Sequence, residues 1–185
     1  APLNVRIHRD RLRFPFKVKP EPGDIIHPRY PIRIFVNSMS DLFHREVPDS
    51  FIAEVFAAMN HPDNAGRIFQ VLTKRPERAA KWAGAWGPNI WMGTTVGHAD
   101  TRHRIDHLRG CQAKVKFVSA EPLLSSLMPL DLTGIDQVIA GGESGTVELV
   151  VVRGVEERVG PAEALREVEP AEETDVEAID VHARA

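Results

Sequence analysis

Short apolar runs that end in polar tips recur along the chain. The clearest is Ile34-Phe35-Val36, which leads into Asn37-Ser38-Met39-Ser40-Asp41. A continuous apolar run fits a strand buried on both faces, although periodicity alone does not separate so short a run from a buried helix segment. The polar tip then lies where the strand leaves the sheet. The pattern predicts strands over residues 33–37, 68–72, 90–92, 114–118 and 137–140. Weak alternation over residues 4–8 suggests a further short strand. Residues 9–30 carry Pro15, Pro20, Pro22, Pro28 and Gly23, a density that argues for an extended surface segment without regular helix.

Helical spacing fills the gaps between the strands. Over residues 48–60, Phe51, Ile52, Val55, Phe56 and Met59 fall on one face, with Pro48 suited to the first helical position and Asp49 to the positive end of the dipole. A second helix opens at Pro76 and is expected to include Trp82. A third is expected from Asp100, as its cap, to Arg109, with Ile105 and Leu108 buried and Gly110 ending it. Residues 123–134 contain Pro129 and are too short for a full crossover helix. Strands alternating with helices argue for βαβ units and a parallel sheet. Two architectures satisfy this: a partial or full β/α barrel, and an open doubly wound sheet. Both place ligands at the carboxyl ends of the strands.

In such a sheet five tips converge on one rim: Asn37-Ser38-Met39-Ser40-Asp41, Thr73-Lys74-Arg75, Thr94-Thr95, Ser119-Ala120-Glu121 and Gly141-Gly142-Glu143-Ser144. Carboxylates (Asp41, Glu121, Glu143), cations (Lys74, Arg75) and hydroxyls mix there. The candidate binding residues are therefore Asn37, Ser38, Asp41, Lys74, Arg75, Thr94, Thr95, Glu121, Gly141, Gly142, Glu143 and Ser144. Such a rim suits a small, polar, partly anionic molecule, with Lys74 or Arg75 pairing its carboxylate or phosphate. Gly141-Gly142 allows close backbone approach. The bland alternative is that polar strand ends cap helices and satisfy loop backbone. The run from Gly141 to Gly145 has neither P-loop nor dinucleotide-fingerprint spacing, so a tight turn is the simpler reading.

Other chemistry-bearing residues favour structural roles. His103 and His107 share a helix face without further zinc ligands, and a solvated face explains them. His44 follows Asp41 closely, beside a Phe43 that can bury, and is a further candidate. Cys111 has no Cys-x-x-Cys partner and reads as a buried thiol. Trp82, Trp86 and Trp91 read as packing residues. Arg102-His103-Arg104 reads as a solvated face before a nucleic-acid contact.

Composition is that of a soluble globular protein, 43% hydrophobic and 26% charged, and about 150 residues suffice for a real core. A net charge of −3 argues against a strong direct nucleic-acid binder. One cysteine leaves no intramolecular disulfide, and no run approaches the ~20 apolar residues needed to span a bilayer. With no signal-peptide h-region at the N-terminus, a cytoplasmic setting is expected. Charge is nonetheless split. Residues 1–145 hold 19 Lys+Arg against 15 Asp+Glu, residues 146–185 hold 4 against 11, and all twelve aromatic residues lie at or before Phe117. This places a boundary at Gly145, with an α/β domain over 1–145 and a divergent acidic tail over 146–185. The sequence does not start with methionine, so either that residue was removed or the chain begins inside a longer protein.

The stretch from Ile34 to His44 (IFVNSMSDLFH) resembles a signature of the uncharacterised phage gp thirty-seven/sixty-eight family. Four further stretches match in order: residues 69–76 (FQVLTKRP), 91–96 (WMGTTV), 117–124 (FVSAEPLL) and 138–145 (VIAGGESG). The resemblance covers about residues 4–145. It implies a partial TIM-like β/α barrel with parallel strands, related to radical S-adenosylmethionine enzymes. It also implies S-adenosylmethionine and an iron–sulfur cluster as cofactors of a full-length enzyme, the cluster held by three closely spaced cysteines. The chain lacks that cysteine segment, and residues 146–185 depart from the family pattern by divergence or by a shifted reading frame. The expectation is an incomplete, inactive relative of such an enzyme. The alternatives are a non-catalytic module binding a small anion or a protein partner of unknown identity, and a metal-dependent hydrolase using Asp41, His44, Glu121 and Glu143.

Overall fold

The computed structural model describes residues 5–17, 32–37 and 40–140, and the backbone of two short strands beyond them. Five parallel strands form a curled half-barrel: β1 (Ile32–Val36), β2 (Arg67–Thr73), β3 (Ile90–Thr95), β4 (Val115–Ala120) and β5 (Gln137–Ala140). Three helices lie between them: α1 (Asp49–Met59), α2 (Pro76–Ala80) and α3 (Arg104–Arg109). At the two edges, β6 (Val150–Arg153) pairs antiparallel with β5 and β7 (Ala178–Ile179) pairs parallel with β1. The sheet order β6-β5-β4-β3-β2-β1-β7 keeps β1 to β5 sequential. A doubly wound sheet reverses its strand order at a switch point; this one has no reversal among β1 to β5, which leaves the barrel-like alternative. Among the described residues, no helix is long and apolar enough to cross a membrane.

The two faces of the sheet differ. Side chains alternate along a strand, and partners in parallel register share a face. One face carries Ile34, Val36, Phe69, Val71, Ile90, Met92 and Val118, which join one core cluster with the helix residues Phe51, Ile52, Val55, Phe56, Met59, Ile105 and Leu108. Each such side chain contributes about 1.5–3 kcal/mol by burial, so the predicted apolar face of α1 is the main anchor of its crossover. The opposite, inner face carries Phe35, Gln70, Leu72, Trp91, Gly93, Thr95, Phe117, Ser119, Gln137 and Ile139 by the same register. None of these belongs to the helix-side cluster. Phe117 is fully buried, and its ring lies over Gly93, where an added Cβ would come within 2.3 Å of it.

Local differences from the sequence reading have physical causes. The second helix ends at Ala80, before Trp82. That indole instead packs on Phe56, centroids 5.5 Å apart, with Trp86 at 4.8 Å on the same ring. The third helix breaks into a 3-10 turn (Ala99–Thr101) and α3. The His98 ring, not Asp100, caps that turn, accepting from the Asp100 N–H at 3.2 Å. Residues 5–8 form no strand, and Arg9–Arg13 is a 3-10 turn completed before the first proline of its segment, where an extended chain was expected. Leu12 from that turn packs against the core, and Arg9 pairs with Glu54 of α1 at 2.9 Å.

Gly93→Ala forces a methyl into the Phe117 ring and is expected to cost about 1–3 kcal/mol. A lower urea midpoint with unchanged slope would show this. Gly66→Ala, where nothing lies within 4 Å of the new carbon, is the near-neutral control.

Candidate functional site

The register aligns the strand ends. Val36 stands opposite Val71, Thr73 opposite Thr94, Thr95 opposite Ser119, and Ala120 opposite Ala140. The tips of β1 to β5 therefore share one edge, the carboxyl rim of the half-barrel.

Asp41 joins the first two tips. Its Oδ1 accepts from the Phe43 N–H at 3.0 Å and the Thr73 hydroxyl at 2.6 Å. Its Oδ2 accepts from the Lys74 N–H at 3.2 Å and Arg75 Nη1 at 2.8 Å. The Thr73 oxygen also accepts the Arg75 N–H at 2.9 Å, a side-chain turn of the type Ser and Thr form two residues on. Asp41 thus has four donors on two oxygens and is committed to holding the rim together. Asn37, buried at the end of β1, adopts φ 63°, a left-handed conformation that Asn tolerates better than most residues. Its carbonyl accepts from the Ser40 N–H at 3.2 Å, and this turn delivers Asp41 to β2.

The other candidates divide. The buried Thr94 hydroxyl donates to the Thr73 carbonyl at 2.8 Å, tying β3 to β2. The Thr95 carbonyl accepts from Arg104 Nη1 at 2.9 Å. Arg102 donates to the carbonyls of Leu127, Met128 and Pro129, so one arginine holds a loop and the other the end of β3 where a solvated face was expected. Arg109 holds the same β4–β5 connection through the Thr133 and Asp131 carbonyls. Asp131 is itself held below the usual carboxylate range, first by the Thr133 backbone N–H and least by Arg109. His44 is partly buried beside a fully buried Phe43, and its carbonyl accepts from Arg78. Lys74 and Glu121 are exposed at the rim, and neither side chain has a polar partner among the described residues. Ser38, Gly141, Gly142, Glu143 and Ser144 lie outside the described residues.

Thr73 and Arg104 carry more of this architecture than the sequence suggested. The Thr73-Lys74-Arg75 order is a readable turn signal. The reach of Arg104 back to Thr95 has no sequence signature. Among the described residues no three His, Cys, Asp or Glu side chains gather closely enough to hold a metal. A cleft beneath the rim, lined by Leu12, Asn37, Phe51 and Met59 among others, offers about 20 Å³, room for about one water.

Residues 2–153 match the family DUF5131, described as a protein of unknown function. The chain belongs to the DUF5131 family. The match runs from before β1 through β6 and includes the tips of β1 to β5. No curated protein and no solved structure is significantly similar to the chain. DUF5131 membership therefore fixes kinship without assigning chemistry, and the site rests on its own geometry.

Asp41→Ala is expected to cost about 2 kcal/mol, mostly through the Phe43 and Thr73 bonds, because the Arg75 side chain is 38% exposed and its pairing is screened. A double-mutant cycle of Asp41→Ala with Thr73→Val should return a coupling of about 1 kcal/mol. Cys111, whose Sγ lies 3.9 Å from the Pro76 carbonyl, has its thiol pushed up to about 11 by burial, slightly offset by Lys116. The folded state holds this proton more tightly than the unfolded chain does. Its contribution is therefore complete below pH 9.0 and lost as pH rises to about 11. Urea titrations of the wild type and Cys111→Ala across that range check the sign: only the wild type should carry this loss.

Proposed function

We propose that the chain is a small-molecule-binding α/β protein that takes a polar, anionic ligand at its carboxyl rim. One observation carries this reading. Of the adjacent cations on the β2 tip, Arg75 is spent on Asp41, whereas Lys74 is fixed by its backbone N–H to the same carboxylate and keeps an exposed ammonium with no partner among the described residues. The position of that ammonium's base is set by the Asp41 network, directly after Thr73, which pairs with Thr94 on β3. A carboxylate or phosphate is its natural partner. A hydrolytic metal site receives less support, because both Asp41 oxygens already accept two bonds each.

A second reading comes from the motif resemblance: descent from a radical S-adenosylmethionine-like enzyme acting at this rim. In its favour, the shared stretches fall on the ends of β1 to β5. The residues of this chain do not fit an iron–sulfur cluster, however. Its one cysteine is buried, protonated and hydrogen-bonded to the Pro76 and His107 carbonyls.

Calorimetric titration with inorganic phosphate tests the rim. Lys74→Gln should weaken binding about tenfold and Lys74→Arg should retain it, with stability changed by no more than about 0.5 kcal/mol in either variant. Equal phosphate affinity in wild type and Lys74→Gln would remove Lys74 from the site.

A further inference from the structure

The positive charge of residues 1–145 is concentrated at their start. Residues 5–17 (VRIHRDRLRFPFK) hold five Lys+Arg against one Asp. The rest of residues 1–145 holds 14 Lys+Arg and 14 Asp+Glu, so this segment carries the whole excess. The net charge of −3 for the full chain averages it away. Exposed charges farther apart than a Debye length, about 10 Å at 0.1 M salt, are largely screened from one another, so a partner reads the local surface.

The segment is fixed against the body of the protein. Val5, Ile7 and Leu12 pack on the core, and Pro15 is buried. The Arg11, Phe14 and Lys17 N–H groups each donate to the carbonyl three residues earlier, at 2.9–3.1 Å. Arg9 serves as an anchor: it pairs with Glu54 at 2.9 Å, and its guanidinium lies 5.9 Å from the centre of the Phe51 ring. Arg6, Arg13 and Lys17 are exposed, and their side chains have no partner among the described residues. Arg11 is exposed too, with the Asp10 carboxylate 4.0 Å away. Phe16 is 38% exposed, its ring in edge contact with His61, centroids 5.0 Å apart. A preformed surface therefore presents four cations and an accessible ring. His8 and Arg11 also line the cleft with Asn37, so this surface borders the β1 end of the rim.

Guanidinium forks match phosphate oxygens bidentately. An exposed ring among such cations suits a strand whose bases are unstacked, because a base inside a duplex has no free face. One exposed apolar ring is too little to seat the segment in a bilayer. We propose that residues 6–17 are a docking surface for single-stranded nucleic acid, with Arg6, Arg11, Arg13 and Lys17 on phosphates and Phe16 stacked on a base. The affinity is of the non-specific order, about 10⁻⁴–10⁻⁶ M at physiological salt, and phosphate contacts give it no sequence preference. This surface is independent of the rim ligand at Lys74.

Fluorescence anisotropy of labelled single-stranded DNA and RNA oligonucleotides, titrated with the full chain, tests it. Four phosphate contacts predict an affinity that falls about fiftyfold between about 50 and 200 mM salt, from a slope of about −0.7 per contact. Arg11→Gln combined with Arg13→Gln should halve that slope. Phe16→Ala should weaken binding about tenfold and leave the slope unchanged. All three side chains are exposed, so Tm should move little in any of these variants. Lys74→Gln should bind as the wild type does. No binding by the wild type at about 50 mM salt would overturn the proposal, as would an unchanged affinity and slope in the double variant. A duplex bound as tightly as the single strand, with Phe16→Ala neutral, would overturn the single-strand assignment. Binding to phosphatidylserine vesicles but not to oligonucleotides would make the surface a membrane contact and overturn it as well. Binding lost in Lys74→Gln but kept in the double variant would place the nucleic acid at the rim and overturn this surface alone.

Discussion

A single carboxylate decides how the first two strands of this half-barrel end. The side chain of Asp41 is 15% exposed, yet both oxygens are saturated by donors from its own turn and from the β2 tip. A parallel strand cannot be joined to its neighbour by a hairpin, so its carboxyl end has no covalent closure. Here the closure is polar: the Asn37 turn carries Asp41 across to Thr73, and the Thr73 carbonyl then takes the hydroxyl of Thr94 on β3. Three successive tips are fixed in sequence by side chains that a functional reading would first assign to a ligand.

That division of labour makes the rim interpretable. Polar residues at strand ends become informative only once those with structural partners are set aside. Asp41, Arg75 and Thr94 have such partners through their side chains, and Asn37 and Thr95 are held through their carbonyls; Lys74 and Glu121 have no side-chain partner among the described residues. The same sorting applies to α3 and the turn before it. Arg102, Arg104 and Arg109 donate to backbone carbonyls of loops and of β3, so a cluster that looks basic in sequence spends its donors on structure.

The parallel strands and the edge where they end were legible in the sequence, because apolar runs with polar ends, separated by amphipathic crossovers, are the direct imprint of a buried parallel sheet; their order, barrel-like or doubly wound, was not. The helix-side core followed from spacing: Phe51, Ile52, Val55, Phe56 and Met59 are all buried as their period predicts. Cys111 was readable as a buried thiol from its lack of a Cys-x-x-Cys partner, and it is buried. The ends of short helices were not. Whether α2 reaches Trp82 depends on Phe56, a residue distant in sequence that captures the indole. The 3-10 turn at Arg9–Arg13 likewise depends on tertiary contacts, with α1 supplying Glu54. Side chains that reach backward, such as Arg104 to Thr95, leave no local pattern to read.

The inner face shows a different kind of information. An apolar run in sequence conceals which of its members look toward the helices and which look into the barrel; only register separates Val71 from Gln70 and Met92 from Trp91. Once separated, the helix side is almost purely apolar, while the inner side mixes amides, hydroxyls and aromatic rings. The inner side leads up to a rim that already spends its best carboxylate, Asp41, on structure. Recognition chemistry in this protein is therefore to be sought at Lys74, whose ammonium has no partner among the described residues, more than in the crowded network around Asp41.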